Sequence, residues 1–349
     1  MKLLEFFKSL IGLILSLLVI IKSKLLKRKI GYYFISNKNN LIDKRSFVYL
    51  NQKKLKNSVA IVRSQNFYSS IKLFLNFRNT ILINYIINFL EIFNIFLKKK
   101  KYIINIIFKY LDLKEIHTID DYRNIKLISD ICKYNNIKLI IYQHGRFSTS
   151  LRYQKELSNI KFEKYFVWSL FFKKKLIEFN KDYKKSDIKI QKKFSFSFNK
   201  KKYPNNKKKI LIIQEDKISF SKIKLIILKL NKKKKFQLFF KFRPNTKFNN
   251  QIAEFLKKNN VSIFHKQNIY EIMKKNNFDF LLAFNSTLLL ESSYFNILPV
   301  LIYDKAPALT DYIKDKVFFT SNIKNLYTNL NKIYKKKTMT AKIKKKLWN

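Results

Sequence analysis

The 349-residue chain is 47% hydrophobic and 16% aromatic, which excludes a disordered protein and allows two packed domains. Its formal net charge of +52 indicates anionic partners, and its single cysteine, Cys132, excludes an internal disulfide. The chain is rich in Lys, Asn, Ile, Phe and Tyr and poor in Gly, Ala, Pro, Trp and Arg, a bias typical of an A/T-rich genome. We therefore attribute most of the charge to codon bias, and expect membrane lipids and nucleotides, rather than nucleic acid, as partners.

The first 29 residues contain one long apolar stretch. Ser9 to Ile21 carries no charge, and a basic cluster from Lys22 to Lys29 follows it. The uncharged run is short for a spanning helix, which needs about 20 apolar residues. We predict a helix that lies on the cytoplasmic leaflet, with the basic cluster against anionic headgroups. Two alternatives stay open: a single spanning anchor, and the buried first helix of a soluble domain.

From residue 30 onward, short apolar strands alternate with helical patterns, which is typical of a parallel sheet with helical crossovers. The strands predicted in the first half are 30–35, 46–50, 58–63, 115–118, 137–142 and 162–168. The helices predicted there are two between residues 69 and 101, one at 122–134 and one at 170–180. The polar stretch 196–208 predicts a linker between an N-terminal domain, 30–195, and a C-terminal domain, 209–349.

The second half repeats the same alternation. Its predicted strands are 209–214, 236–242, 261–264, 278–284 and 299–303, and its predicted helices are 221–231, 250–258, 269–275 and one that begins at 286. Two Rossmann-like domains of this kind face each other across a cleft, and ligands favour the carboxyl ends of their strands. Functional residues are therefore expected at the strand ends.

The first candidate follows the strand 137–142 and consists of Gln143, His144 and Gly145. The chain has only 3 histidines and 3 glycines, and one of each lies in this turn. A histidine at a strand end can act as a general base near neutral pH, and a glycine lets a turn approach a ligand closely. The alternative is a structural histidine bonded to a backbone carbonyl.

Two further candidates lie in the second half. Lys241 and Arg243 end a strand and share one side of it, where two cations suit a phosphate; the alternative is a solvated basic strand end. Ser286 and Thr287 open a helix and Glu291 follows one turn later, an arrangement suited to phosphate and ribose hydroxyls. The alternative there is an ordinary N-cap with Glu291 on the surface.

A weaker candidate is the loop that holds Asp121 and Arg123. It follows the strand 115–118 and is expected at the same sheet edge as His144. We favour a helix cap at Asp120 or Asp121 and a surface salt bridge as the account of these residues.

Taken in order, these pieces resemble a family. Strand–Gln-His-Gly, strand–Lys-x-Arg-Pro and strand–Ser-Thr…Glu…Leu-Pro-Val are similar to GT-B glycosyltransferases of bacterial capsule and lipopolysaccharide synthesis. The resemblance is to the CDP-glycerol glycerophosphotransferase-like and polysialyltransferase-like branches, and it covers residues 115–304. It implies a GT-B-like α/β fold of two Rossmann-like parallel-sheet domains, preceded here by the apolar helix. The scarcity of glycine departs from the family, whose loops are usually glycine-rich.

The resemblance also implies roles for the candidate residues. It makes His144 the base that deprotonates an acceptor hydroxyl, with Gln143, Gly145, Asp121 and Arg123 on the acceptor side. The donor phosphates would be bound by Lys241, Arg243, Ser286 and Thr287, and the donor ribose by Glu291. Relatives often carry histidine at the position of Arg243. The family needs no metal and no cofactor beyond the nucleotide-sugar co-substrate, in agreement with the lack of an Asp-x-Asp motif.

The sequence therefore predicts a glycosyltransferase at the cytoplasmic face of the cell membrane. It would move a sugar from a nucleotide-sugar donor to a glycan or lipid-linked acceptor, with an anionic membrane surface as a further partner. One alternative is a CDP-polyol phosphotransferase of the kind that makes teichoic-acid-like polymers. The other is a basic nucleic-acid-binding protein without catalysis.

Overall fold

The computed structural model describes most of the chain. The described residues are 2–36, 58–64, 67–76, 79–92, 100–120, 125–143, 145, 147, 157, 160–192, 194, 207–215, 218–232, 235–243, 249–305, 309–334 and 339–348. They form two compact units: Met1–Trp168 with Phe172–Lys193, and Ser169–Phe171 with Phe194–Asn349. The predicted strand 46–50 and nearly all of the predicted linker lie outside the described residues.

The first unit is built on a seven-stranded parallel sheet in the order β3-β2-β1-β4-β5-β6-β7. The strands are β1 (Ile30–Ser36), β2 (Val59–Ser64), β3 (Thr80–Leu82), β4 (Glu115–Ile119), β5 (Lys138–Tyr142), β6 (Lys164–Val167) and β7 (Ile188–Ile190). Among the described residues up to 190, the helices are α1 (Lys2–Leu25), α2 (Phe67–Asn76), α3 (Ile83–Ile92), α4 (Lys100–Tyr110), α5 (Ile125–Tyr134) and α6 (Leu170–Phe179). Helices flanking an all-parallel sheet confirm the predicted α/β class.

The stretch 69–101 differs from its prediction as two helices. A three-residue strand, Thr80–Leu82, lies between α2 and α3 and pairs with β2 at the edge of the sheet. Three apolar residues are too few for a periodicity signal, and their extended form depends on pairing with a partner distant in sequence. The short edge strand β7 escaped prediction for the same reason.

The second unit is built on a six-stranded parallel sheet in the order β10-β9-β8-β11-β12-β13. The strands are β8 (Lys208–Ile213), β9 (Phe236–Lys241), β10 (Ser262–Phe264), β11 (Phe280–Ala283), β12 (Leu298–Tyr303) and β13 (Phe319–Asn322). The helices are α7 (Phe220–Asn231), α8 (Asn250–Lys258), α9 (Ile269–Asn276), α10 (Leu288–Ser292), α11 (Thr310–Lys314), α12 (Leu326–Tyr334) and α13 (Met339–Trp348). The buried, almost uninterrupted apolar runs of β8, β11 and β12 are what a sheet covered on both faces requires.

Asparagine occupies several backbone positions that usually favour glycine. Asn277 ends α9 in the left-handed conformation. Asn296 has the same conformation where it ends the 3-10 turn just before β12. Asn136 and Asn260 also have positive φ values. Because asparagine tolerates this region better than other side chains, the helices can turn into the next strands without glycine.

The N-terminal helix α1 packs along β3 and α3 with only one of its faces. The Ser16 hydroxyl accepts a hydrogen bond from the Leu82 amide of β3 at 2.9 Å and donates one to the Gly12 carbonyl at 2.7 Å. Gly12 lies against Tyr85 so closely that a Cβ atom there would be 2.4 Å from the Tyr85 ring. The predicted apolar N-terminal helix is therefore confirmed, and it is docked on the first unit.

The close contact at Gly12 gives a prediction whose sign is diagnostic. At an open helix position, Gly→Ala raises stability by up to about 1 kcal/mol. Because the added methyl would overlap Tyr85, we expect Gly12→Ala to lower the free energy of unfolding by roughly 1–3 kcal/mol, measured by urea denaturation. Ile14→Ala, on the exposed side of the same helix, is the control and should change stability much less. A stabilised Gly12→Ala variant would show that α1 is not docked at this contact.

Candidate functional site

The candidate donor residues lie at the carboxyl edge of the second unit's sheet. Parallel pairing brings the ends of β8, β9 and β11 to the same edge, because β8 is the neighbour of both other strands. The segments that leave this edge are 214–215 after β8, 242–243 after β9 and 284–287 after β11. Gln214 joins two of them, since its side-chain oxygen accepts the Arg243 amide at 3.1 Å.

Glu215 is a residue of this edge that sequence analysis missed. Its carboxylate oxygen Oε1 accepts the backbone amides of Phe284 and Asn285 at 2.7 and 2.9 Å. It therefore connects the end of β8 with the loop that leads into α10, although the two are about 70 residues apart in the chain. The sequence signal was a polar Gln-Glu pair directly after an apolar strand.

Lys241 and Arg243 differ in their surroundings, although they lie only two residues apart at one strand end. Lys241 is only 3% exposed, and its ammonium donates to the carbonyl oxygens of Phe242 and His265 at 2.6 and 2.7 Å. Burial lowers the pKa of this ammonium to about 8. The alternative of a solvated strand end is therefore wrong for Lys241, whereas Arg243 is exposed at the edge.

Ser286 and Thr287 lie in the loop that Glu215 holds. The Ser286 hydroxyl accepts the Leu288 amide at 3.2 Å, as the N-cap alternative expects. The helix that follows, α10, is only five residues long and continues as a 3-10 turn. The prediction of a helix starting here is right, but so short a helix supplies little dipole for an anion, and the loop amides and hydroxyls have to supply the rest.

Glu291 is buried and not on the surface as the N-cap alternative held. It is 1% exposed, and its carboxylate accepts a hydrogen bond from the Tyr270 hydroxyl at 2.8 Å. A buried carboxylate is costly unless it is hydrogen-bonded, so the pair with Tyr270 explains how it is accommodated. Sequence spacing placed Glu291 one turn after Thr287 but could not reveal Tyr270, which comes from a different helix, α9.

In the first unit, Gln143 holds the turn that follows β5. Its side chain accepts the Trp168 amide at 2.9 Å and donates to the Gly145 carbonyl at 2.8 Å. Its own carbonyl accepts the Trp168 indole N–H at 3.0 Å. Gln143 is buried, and its bonds fix the backbone on both sides of His144. His144, Asp121 and Arg123 themselves lie outside the described residues.

Two other polar residues of this sheet are buried with tyrosines. Asp120 accepts a hydrogen bond from the Tyr165 hydroxyl at 2.8 Å. His117 stacks on Tyr32, and its Nδ1 lies 2.9 Å from the Tyr142 hydroxyl. These contacts give His117 a structural role, and Asp120 serves to bind β4 to β6.

The fold is shared with solved enzymes that act on sugars. A glycosyltransferase from Rickettsia africae matches with a TM-score of 0.54 and 14% identity over 91% of this chain and 92% of that one. A UDP-GlcNAc 2-epimerase from Neisseria meningitidis, bound to UDP-GlcNAc, matches with a TM-score of 0.56 and 12% identity over 90% of this chain and 93% of that one. MnaA from S. aureus, in a structure with UDP, matches with a TM-score of 0.60 and 11% identity over 90% of both chains.

These similarities show the fold, which is the GT-B type with two Rossmann-like parallel-sheet domains, as predicted. No protein-family model matches the chain, and no curated protein matches its sequence. Because these identities are 11–14%, the functional roles of individual residues rest on the sequence and on the geometry described above.

The bridge made by Glu215 can be tested by stability. Glu215→Ala leaves the amides of Phe284 and Asn285 without their acceptor, so we expect a loss of roughly 1–3 kcal/mol in unfolding free energy. Glu215→Gln keeps one side-chain oxygen and should lose less. Asp304→Ala removes an exposed carboxylate whose bridge to Lys222 is 3.3 Å long, and should cost less than about 1 kcal/mol. Equal losses for Glu215→Ala and Asp304→Ala would contradict the bridge.

The lowered pKa of Lys241 predicts how stability changes with pH. Below pH 8, both the folded and unfolded states carry this charge, and the cost of burying it is fully present. Between pH 8 and the ordinary lysine value of 10.5, the unfolded state binds more protons, so stability rises with pH. We therefore expect the parent protein to gain stability relative to Lys241→Met between pH 7.5 and 9.5, measured by chemical denaturation. A pH-independent difference between the two proteins would place the pKa outside this window.

Proposed function

We propose that this protein is a glycosyltransferase that moves a sugar from a nucleotide-sugar donor to a growing surface polysaccharide or lipopolysaccharide. The observation that carries the proposal is the carboxyl edge of the second unit's sheet. There Arg243, the loop 284–287 and Glu291 follow strands that parallel pairing brings together. Two of the enzymes that share the fold hold UDP-GlcNAc or UDP in their structures, which supports a nucleotide as the ligand of such an edge.

In the proposed reaction, the donor diphosphate leaves with negative charge that the protein has to stabilise. Arg243 is exposed at the edge and can bind a phosphate through two parallel N–H groups. The hydroxyls of Ser286 and Thr287 would add donors from the loop that Glu215 holds in place. Lys241 would act mainly by positioning the strand end, because its ammonium is bound by two backbone carbonyls.

Glu291 is proposed to bind the donor ribose. A carboxylate has about four acceptor positions, of which the Tyr270 hydroxyl occupies one. Because Glu291 is almost completely buried, a ribose would have to share or displace Tyr270. This makes Tyr270 the residue whose removal should expose the carboxylate to the nucleotide.

His144 is proposed as the general base. It would take the proton of the acceptor hydroxyl while the new bond from that oxygen to the sugar carbon forms and the bond from the sugar to the phosphate breaks. Gln143 supports this role, since its side chain and backbone fix the turn on both sides of the histidine. Gly145, Asp121 and Arg123 would contact the acceptor. We propose that no metal is required and that the enzyme acts at the cytoplasmic face of the membrane.

The donor site can be tested by nucleotide binding. We expect UDP to raise the thermal midpoint of the protein, because a ligand that binds only the folded state stabilises it by mass action. CMP, CDP and GDP complete the panel. Arg243→Ala removes charge-assisted bonds to phosphate and should weaken binding by about 10-fold or more, measured by calorimetry. Lys257→Ala, an exposed cation on α8, is the charge control and should bind normally.

Further variants separate the roles of the other residues. Glu291→Gln should weaken nucleotide binding, whereas Tyr270→Phe should leave it equal or stronger if the carboxylate binds ribose. Loss of stability in both variants with unchanged affinity would make this pair purely structural.

His144→Ala should bind nucleotide normally and lose turnover. With intact nucleotide sugars, product mass distinguishes sugar transfer from transfer of a polyol phosphate, and an altered sugar without transfer would indicate an epimerase. Absence of binding by every nucleotide would overturn the proposal.

A further inference from the structure

Helix α1 carries most of its large apolar side chains on the side that faces away from the first unit. The face towards the first unit, which we call the inner face, carries mainly small residues: Ser9, Gly12, Ser16, Val19 and Ser23 are buried there, together with Ile20. The opposite, outer face consists of large apolar residues that are 44–75% exposed: Leu4, Phe7, Ile11, Ile14, Leu18, Ile21 and Leu25. A helix that packs on a core in water normally shows the reverse arrangement.

The outer face of α1 continues on a second helix. In α4, Tyr102, Ile106 and Tyr110 are spaced by four residues, lie on one side and are 45–51% exposed. The ammonium of Lys24 in α1 lies 5.4 Å from the centre of the Tyr110 ring, so the two helices are neighbours there. Single exposed apolar side chains are normal on a protein surface, but a large group of neighbouring ones marks an interaction site. The exposed residues of α1 and α4 together form such a group.

Exposed lysines border this surface. Lys22 and Lys24 lie in the last turn of α1 and Lys27 follows it, while Lys101 and Lys109 lie beside the tyrosines of α4. Near the amino end, Lys8 is paired with Glu5 at 2.7 Å. An apolar face with cations and tyrosines at its margin complements the acyl chains and anionic headgroups of a bilayer.

The docking of α1 also decides how it can meet the membrane. By length and composition, Leu3–Leu25 is the described helix that could cross a bilayer. The uncharged run from Ser9 to Ile21 nevertheless spans only about 20 Å, against a hydrocarbon core of about 30 Å. The inner face is buried against the first unit over this whole run, so lipid cannot surround the helix while it remains docked.

We propose that the outer face of α1, extended by Tyr102, Ile106 and Tyr110 of α4, is the surface by which this protein docks on an anionic lipid bilayer, with α1 lying in the plane of the membrane and not across it. The proposal goes beyond the transfer reaction, and it can hold or fail independently of nucleotide binding. The occupant is the lipid surface itself.

Vesicle flotation tests the surface directly. The full-length protein should float with vesicles that contain phosphatidylglycerol, and less with vesicles of phosphatidylcholine alone. The double variant Ile11→Glu/Leu18→Glu should lower the apparent partition coefficient on the order of 100-fold, since it charges two side chains that would enter the lipid. The matched control, Leu225→Glu/Leu228→Glu, charges two apolar side chains of similar exposure on α7 and should float like the parent. Equal flotation of both variants would overturn the proposal.

Cysteine labelling distinguishes an in-plane helix from a spanning one. Cys132 is 1% exposed, so the parent serves as the unlabelled blank. Glu5→Cys and Lys24→Cys place thiols near the two ends of α1. In spheroplasts treated with an impermeant maleimide, both should stay unlabelled, and both should react after lysis. Labelling of only one of them before lysis would show a spanning helix and overturn the proposal.

A second copy of the chain is the other occupant that the test can reveal. The protein in detergent-free buffer is compared with Ile11→Glu/Leu18→Glu by sedimentation. A dimer that this variant dissociates, together with failure of the parent to float, would assign the surface to self-association. Nucleotide affinity measured on the same variant should equal that of the parent, which would show that its failure to float does not come from a damaged donor site.

Discussion

Parallel pairing around a central strand determines where the polar residues of each unit lie. In the second unit, β8 pairs with β9 on one side and β11 on the other, all in the same direction. Their carboxyl ends therefore meet, and Gln214, Glu215, Arg243 and the loop before α10 become neighbours. Hydrogen bonds from Gln214 and Glu215 then fix the distances among segments that the sheet has only brought close. Without that pairing, the strand ends that carry the candidate donor residues would not lie at one sheet edge.

Much of this arrangement could be predicted from the sequence, because buried parallel strands consist of short, nearly continuous apolar segments. Strands such as Lys208–Ile213 and Phe280–Ala283 follow this rule, whereas Thr80–Leu82 and Ile188–Ile190 are too short for it and form through long-range pairing. Glycine scarcity suggested a possible conflict with the fold. Asparagine at positions such as 277 and 296 resolves it, a substitution that can be recognised only once the φ angles are known.

The site was less predictable than the fold, since side-chain partners come from distant segments. Spacing alone could not show that Lys241 is covered by two carbonyls while Arg243, two residues later, is exposed. Neither could it show that Glu291 is paired with Tyr270, or that Gln143 is bound to Trp168 and to the Gly145 carbonyl. In each case the sequence identified the strand end, and tertiary contacts decided which side chains there are buried in support of the fold and which are exposed at the sheet edge.

The position of α1 has a consequence for handling the protein. Strand β3 is an edge of its sheet, and the Leu82 amide, which an open edge would present to solvent, is bound by Ser16 of α1. Deleting the apolar N-terminus, a usual step to improve solubility, would here uncover an edge strand together with the Tyr85 surface that Gly12 covers. Uncovered edges recruit strands from other molecules. A shortened chain would thus bind detergent or lipid less strongly, but it would tend to aggregate through β3.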